Sequence, residues 1–127
     1  MNTFKRIIPS ELKIANREID AFLGTLDSYV LGKETFYNLK LILNELVING
    51  IKHGNRSDVT KKILFEVFFD KEKIRITVMD EGSGSKYDYK NMDPCSFATS
   101  GRGLFIVDQI AKELTVQGNK VVAVIDK

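Results

Sequence analysis

The chain has 127 residues, of which 43% are hydrophobic and 28% are charged, and its formal net charge is +2. This length and composition predict one globular domain over residues 1–127. The small net charge, without a long basic run, argues against direct binding to nucleic acid. A single cysteine, Cys95, excludes an internal disulfide and fits a reducing cytosol. The sequence has no signal-peptide core and no apolar stretch approaching about 18 residues, so we expect a cytoplasmic protein without membrane contact.

The first half of the chain predicts one strand followed by two helices. Residues 3–8 (TFKRII) favour a short strand, and Ser10, which follows a proline, fits the N-cap of a helix. Apolar residues then recur at helical spacing to about Leu26. A second helix is predicted over residues 33–53, because its apolar residues cover most of the helix surface and Gly54–Asn55 is a usual helix end.

The second half of the chain predicts strands on either side of a loop and a helix. Residues 63–69 are rich in β-formers and residues 74–78 alternate in polarity, which predicts an antiparallel pair. Residues 85–100 show no clear period, and a loop of this length is often functional. A third helix is predicted over residues 104–113.

The predicted order ends with two strands, residues 114–117 and 121–125, on either side of a Gly118–Asn119 turn. The complete order is strand, helix, helix, strand, strand, loop, helix, strand, strand. Helices are expected on one face of a mixed, mostly antiparallel sheet. The predicted fold class is therefore α/β (α+β), arranged as a two-layer sandwich.

The second predicted helix carries a polar stripe on an otherwise apolar surface. On a helical wheel, Asn38, Glu45, Asn49 and Lys52 fall in one narrow gap between apolar residues. Such a helix is mostly buried, and a buried carboxylate without a partner is costly. The stripe is either a solvated helix edge or the wall of a site. In a site, Glu45 would accept a proton and Asn49 would offer a carbonyl oxygen to a hard cation such as Mg²⁺.

A second candidate motif is DEGSG at residues 80–84, directly after a predicted strand. Gly82 and Gly84 permit a tight turn and the close approach of a ligand to the backbone. Asp80 can accept hydrogen bonds from an exocyclic amine. The same pattern also suits an ordinary turn, so it decides nothing alone.

A third candidate motif is SGRGLFIV at residues 100–107. Gly101 and Gly103 come immediately before the third predicted helix, where free N–H groups and the helix dipole favour an anion. Arg102 would add positive charge. For this motif taken alone, a glycine helix cap with a purely structural role is the more common explanation, and the common phosphate-binding motifs are absent.

Together and in this order, the three motifs resemble those of the GHKL superfamily, which has the Bergerat ATP-binding fold. NELVINGIKHG at residues 44–54 is similar to its N box, DEGSG to its G1 box and SGRGLFIV to its G2 box. The resemblance covers about residues 10–125, which is almost the whole chain. It implies a domain that binds ATP with Mg²⁺.

The resemblance also implies roles for individual residues. Asn49 would hold the Mg²⁺ that bridges the phosphates, and Asp80 would bind the adenine amino group. Lys52 or His53 would reach phosphate or ribose, although His53 equally suits a helix end stabilised by the helix dipole. The implied nucleotide-binding set comprises Asn49, Lys52, His53, Asp80, Gly82, Gly84, Gly101, Arg102, Gly103 and Leu104.

Glu45 separates branches of this superfamily. Histidine kinases usually carry asparagine at this place, whereas anti-sigma-factor serine kinases and the ATPase members usually carry glutamate. A serine hydroxyl is a poor nucleophile unless a positioned base takes its proton. With Glu45 and the GRGL form of the G2 box, the chain looks most like the anti-sigma-factor serine kinases.

That resemblance implies an ATP-binding anti-sigma factor that is also a protein serine/threonine kinase. It would phosphorylate a serine on a STAS-domain anti-anti-sigma partner, with Glu45 as the catalytic base, and it would sequester a sigma factor. The resemblance also implies a homodimer.

Departures from the family pattern leave alternatives open. The last strand lacks a threonine that many members place near the adenine, and Thr99–Ser100 replace an arginine that some members carry before the G2 glycines. One alternative is a nucleotide-gated protein-binding module without kinase activity, in which ATP orders residues 85–100. Another is a detached histidine-kinase-type ATP-binding domain that acts on a phosphotransfer partner.

Overall fold

The computed structural model describes residues 2–26, 31–82 and 99–127. Its elements follow the predicted order, which confirms the α+β class. They are β1 (Asn2–Pro9), α1 (Leu12–Gly24), α2 (Lys33–Asn49), β2 (Lys62–Phe69), β3 (Lys73–Met79), α3 (Thr99–Ile110), β4 (Glu113–Gln117) and β5 (Lys120–Asp126).

The five strands form one sheet in the order β1-β2-β3-β5-β4. All four pairings between these described strands are antiparallel. For β2–β3 and β4–β5, the short hairpin connections require this direction. The register places Phe65 opposite Val78 and Ile76 opposite Ala123. β5 therefore lies beside β3, and the final hairpin completes the sheet that β1 begins.

One face of the sheet packs against the helices. Phe65, Ile76 and Ala123 on this face are fully buried, whereas Lys5 and Arg75 on the opposite face are exposed. α2 lies at the centre of the helical layer, in contact with α1, α3 and the sheet. Its buried apolar residues are Leu39, Ile42, Leu43, Leu46 and Val47. Each fully buried side chain of this kind contributes about 1.5–3 kcal/mol to folding.

The start of the first helix differs from the prediction. α1 begins at Leu12 with Glu11 as its N-cap, and no side chain caps it. Ser10, the predicted N-cap, is only 2% exposed, and its hydroxyl donates to the carbonyl oxygen of Lys61 at 2.7 Å. The prediction was wrong because Ser10 directly follows β1 and lies next to the start of β2. Its hydroxyl there donates to the Lys61 carbonyl oxygen and does not accept an N–H of the helix.

The third helix also has different bounds from those predicted. α3 begins at Thr99, so Gly101 and Gly103 lie inside its first turns and not before it. Glycine inside a helix costs about 1 kcal/mol relative to alanine, which is why the sequence pattern predicted a later start. The helix ends at Ile110, and Glu113 already belongs to β4.

Two predictions concern residues outside the described ranges. The loop predicted over residues 85–100 lies mostly in the gap between 82 and 99, and Gly84 lies in the same gap.

Within residues 2–26, 31–82 and 99–127, no helix has the length and apolar character needed to cross a membrane.

Candidate functional site

The end of α2 does not unwind directly into a loop. The helical backbone continues as a π-helical segment, Gly50–Gly54, in which the N–H of Asn55 donates to the carbonyl oxygen of Gly50 at 2.8 Å. This confirms the predicted helix end near Gly54, but the change of helix type was not predicted. Arg56 and Ser57 then take left-handed φ values of 52° and 58°. π-helical turns and left-handed non-glycine residues both concentrate at functional sites.

Asn49 is the last residue of α2 and is almost completely buried, with 5% exposure. Neither its side-chain oxygen nor its nitrogen has a hydrogen-bond partner in the part of the chain that the structure describes. A buried polar group left in this state costs about 1–3 kcal/mol. Of the two interpretations of the polar stripe, a solvated helix edge therefore fits Lys52, which is exposed, but does not fit Asn49, which is buried.

Glu45 lies one turn before Asn49, and both side chains meet α3 at Gly103. A Cβ atom placed on Gly103 would overlap the Glu45 carboxylate and would lie 3.4 Å from the Asn49 side-chain nitrogen. Glu45 is half-buried. Burial raises the pKa of its carboxyl group, and the positive charge of Lys52 opposes this shift. We call Glu45, Asn49 and Gly103 the open cluster.

Asp80 follows β3 and lies against the π-helical segment. A Cβ atom on Gly54 would overlap the Asp80 carboxylate, and one on Gly82 would overlap the carbonyl oxygen of Gly54. Gly50, four residues before Gly54, also faces this side, because its Cβ atom would lie 3.8 Å from that of Asp80. The glycines let the end of α2 and the DEG segment touch through their backbones.

The Asp80 side chain is held by the turn that follows it. Its Oδ1 atom accepts the N–H of Gly82 at 2.7 Å. Burial raises the pKa of Asp80, while the Gly82 hydrogen bond and the charge of Lys61 lower it. Within this geometry Oδ2 faces Gly54.

Asn55 was predicted only as part of a helix end, and its place in the structure was missed. It is 1% exposed. Its side-chain nitrogen donates to the hydroxyl of Ser10 at 2.7 Å and to the carbonyl oxygen of Lys62 at 2.9 Å. Its side-chain oxygen accepts the N–H of Glu81 at 2.8 Å. The only sequence signal was an asparagine directly after GIKHG.

The other predicted site residues lie around these groups. Lys52 and His53 lie on the π-helical segment with largely exposed side chains. The partial burial of the His53 imidazole lowers its pKa, and the positive charge of Lys52 lowers it further. Gly101 and Arg102 occupy the first turns of α3. Leu104 is fully buried in the core, so contact with a ligand would come only from its backbone.

The residues around Asn49 bear on how a metal ion could be held there. Across residues 2–26, 31–82 and 99–127 no group of three or more His, Cys, Asp or Glu side chains is placed to hold a metal ion. A cation beside Asn49 would take further oxygen ligands from water or from a bound molecule. An anion such as a phosphate could supply such oxygen atoms. The first N–H groups of α3, which begins near the open cluster, favour an anion at this place.

Comparison with known proteins agrees with this architecture. Residues 9–125 match the Histidine kinase-like ATPase domain, and the chain belongs to this family. It is similar to the anti-sigma F factors of Clostridium perfringens strains SM101 and 13. Each is 27% identical over 111 residues, which cover 84% of this chain and 77% of the relative. The predicted resemblance to the GHKL superfamily and its anti-sigma members is confirmed.

Proposed function

We propose that this protein is an ATP-binding anti-sigma factor and an ATP-dependent protein serine/threonine kinase. Its substrate would be a serine on a STAS-domain anti-anti-sigma partner, and its second partner would be a sigma factor that it sequesters. Buried Asn49 carries the proposal. Its amide has no partner among the described residues and lies beside both the carboxylate of Glu45 and the backbone of Gly103.

The proposed adenine site is at Asp80. Its carboxylate is half-buried and fixed by the N–H of Gly82, so a free lone pair can accept the adenine amino group. Gly54 and Gly82 leave no side chain over this carboxylate. Lys52 and His53 lie on the adjoining segment, in reach of ribose or phosphate in this proposal.

The proposed phosphate site lies where α3 begins. Gly101, Arg102, Gly103 and Leu104 occupy the first turns of this helix, whose leading N–H groups and dipole favour an anion. Gly103 brings that backbone directly onto Glu45 and Asn49. The γ-phosphate would then be near the one carboxylate of the open cluster.

Mg²⁺ fits the donor set at Asn49. A buried carbonyl oxygen without a hydrogen-bond partner in the described ranges is a ligand of the type that Mg²⁺ accepts, together with phosphate oxygens and water. Asn49 would be its protein ligand. When bound, Mg²⁺ neutralises charge on the phosphates during transfer.

Glu45 would act as the base in the transfer. The serine hydroxyl oxygen of the partner bonds to the γ-phosphorus, the bond between that phosphorus and the oxygen bridging to the β-phosphate breaks, and ADP leaves. The hydroxyl proton passes to the Glu45 carboxylate, which must be ionised to accept it. Partial burial raises the pKa of this carboxyl group and makes it a stronger base than an exposed glutamate.

The proposed partners come from the relatives and the family resemblance. The relatives' name, anti-sigma F factor, supports a sigma factor as a partner. The STAS-domain substrate, the homodimer and the cytoplasmic setting follow from the resemblance to anti-sigma serine kinases.

Calorimetric titration and a labelling assay test the proposal. The protein is titrated with ATP and Mg²⁺, with ADP and Mg²⁺, and with ATP and a chelator, and is then incubated with γ-labelled ATP and STAS-domain proteins. We expect binding of both nucleotides, stronger ATP binding with Mg²⁺, and phosphoserine on a partner. Absence of binding in all three titrations overturns the proposal. Binding without phosphoserine leaves a nucleotide-gated binding module, and acid-labile phosphohistidine instead indicates a histidine-kinase-type domain.

A further inference from the structure

The turn that carries Asp80 is held from outside by two asparagines distant in sequence. We define residues 80–82 as the acidic turn. Asn119, in the β4–β5 hairpin, donates from its side-chain nitrogen to the carbonyl oxygen of Asp80 at 2.6 Å. The backbone carbonyl oxygen of Asn119 accepts the N–H of Asp80 at 3.0 Å. Asn55 accepts the next N–H, that of Glu81, at 2.8 Å.

Asn55 is itself fixed by two further hydrogen bonds. Its nitrogen donates to the Ser10 hydroxyl and to the Lys62 carbonyl oxygen, and the Ser10 hydroxyl donates onward to Lys61. Only an amide side chain offers both donors and an acceptor in this planar arrangement. Since a buried and fully bonded amide does not rotate freely, the position of the Glu81 N–H is set by the ends of β1 and β2.

The acidic turn and β2 are joined a second time. The Glu81 carboxylate accepts the N–H of Lys62, the residue whose carbonyl oxygen accepts from Asn55. Asn119 meets the turn from the β4–β5 hairpin, on a different segment. The backbone on either side of Asp80 is therefore restrained from two directions, while its Oδ2 atom faces Gly54.

We propose that Asn55 and Asn119 are positioning residues that set the selectivity of Asp80 for the adenine amino group. This inference rests on the proposed function, in which Asp80 accepts that group. Hydrogen-bond strength falls steeply with misalignment, so a small displacement of the acidic turn weakens one specific bond while leaving stacking and phosphate contacts in place. In this proposal the two asparagines bond to the backbone of the acidic turn and act on the nucleotide through Asp80.

The test uses Asn119→Ala and compares two nucleotides. Asn119 lies in a hairpin turn with an ordinary φ and loses one side-chain hydrogen bond, so the variant is expected to fold. Dissociation constants are measured by calorimetry with Mg²⁺ for ATP and for purine riboside triphosphate, which lacks the 6-amino group. For the unmodified protein we expect a preference for ATP of about 10-fold or more, typical of a hydrogen bond to a charged group.

In Asn119→Ala we expect that preference to fall about 3- to 10-fold, with unchanged affinity for the analogue. Asn55→Ala should show the same selective loss if it folds, and Asn119→Ala decides the matter if it does not. Asn44→Ala is the matched control, because among the described residues the Asn44 side chain donates to the carbonyl oxygen of Lys40 on its own helix and does not contact the acidic turn. Its preference should equal that of the unmodified protein.

Equal weakening of both nucleotides in Asn119→Ala, or no change in either, overturns the inference. Loss of the preference in Asn44→Ala as well would also overturn it, because the effect would then not be specific to the acidic turn. Absence of any preference in the unmodified protein has a different meaning. It shows that Asp80 does not read the amino group, which refutes the proposed adenine site and removes the basis of the inference.

Discussion

Two buried asparagines, six residues apart on the same continuous helix end, differ completely in how they are bonded. Asn55 makes three side-chain hydrogen bonds that join β1, β2 and the acidic turn. Asn49 makes none with the described residues. The hydrogen bonds around Asn55 are therefore complete in the folded protein. Around Asn49, a buried amide without a hydrogen-bond partner among the described residues lies beside the Glu45 carboxylate. If the proposed function is right, the adenine side of the site is built in advance by folding, whereas the phosphate side is completed by its ligand.

The first prediction tests whether Glu45 in the open cluster acts as the base in phosphotransfer. Glu45→Gln keeps the shape of the side chain and removes its ability to accept a proton. We expect phosphotransfer to the partner to fall by about 10²–10⁴-fold, the usual contribution of a general base. ATP affinity, measured by calorimetry, should change only slightly. Unchanged transfer would show that Glu45 is not the base.

The second prediction compares the two asparagines directly by chemical denaturation without nucleotide. Asn55→Ala removes three hydrogen bonds and leaves their buried partners unpaired, so we expect a loss of about 2–4 kcal/mol in the free energy of unfolding. Asn49→Ala removes an amide without a partner in the described ranges and improves helix propensity. It should raise stability by up to about 1 kcal/mol while weakening Mg²⁺-dependent ATP binding. Similar losses of unfolding free energy in both variants would contradict the proposed difference between Asn55 and Asn49.

The third prediction uses two glycines, one on each side of the site. In Gly54→Ala the new methyl group overlaps the Asp80 carboxylate, so we expect ATP affinity to fall about 10- to 100-fold. In Gly103→Ala it overlaps the flexible end of Glu45, so phosphotransfer should fall more than ATP affinity. Calorimetry and the labelling assay separate the two results.

Gly24→Ala is the control for both glycine variants. Gly24 is the last residue of α1, and a Cβ atom there meets nothing within 4 Å. Its binding and transfer should match the unmodified protein, with a slight gain in stability. Equal effects of Gly54→Ala and Gly103→Ala on both assays would contradict the division of the site.

The last prediction concerns the pH dependence of phosphotransfer. Glu45 accepts a proton only when ionised, and burial raises the pKa of its carboxyl group. Transfer at saturating ATP should therefore fall with decreasing pH at a higher pH than an exposed glutamate would give. Lys52 opposes this shift, so Lys52→Ala should move the acid limb to still higher pH. Lys40→Ala removes an exposed charge from the same helix and should leave the profile in place, and movement of the Lys52→Ala limb to lower pH would refute the assignment.

Local patterns in the sequence were sufficient to predict much of the fold. α2 and the hairpin strands were predictable because their apolar residues repeat with clear helical or alternating periods. Glu45 and Asn49 stood out because they interrupt such a pattern. The resemblance of three motifs then supplied the family, which the match over residues 9–125 confirms.

The missed features depend on contacts between distant segments. Ser10 suited a helix cap locally, but its partners are Lys61 and Asn55, 51 and 45 residues away. Gly103 suited a helix start, yet its role in the structure is to let α3 approach Glu45. Local propensities depend only on neighbouring residues and cannot identify a contact partner so far along the chain. Periodicity and capping rules therefore could not predict the contacts of Ser10 or Gly103.

The hydrogen bonds of Asn55 also give the site a physical link to an edge of the sheet. A ligand that holds the acidic turn holds Glu81, and through Asn55 it restrains Ser10 at the end of edge strand β1. Opening of the chain at Ser10 must break the hydrogen bond between the Ser10 hydroxyl and the Asn55 amide. Occupancy of the site should thus be visible as slower amide hydrogen exchange at Ser10, although this buried residue is not one of the proposed ligand-binding residues.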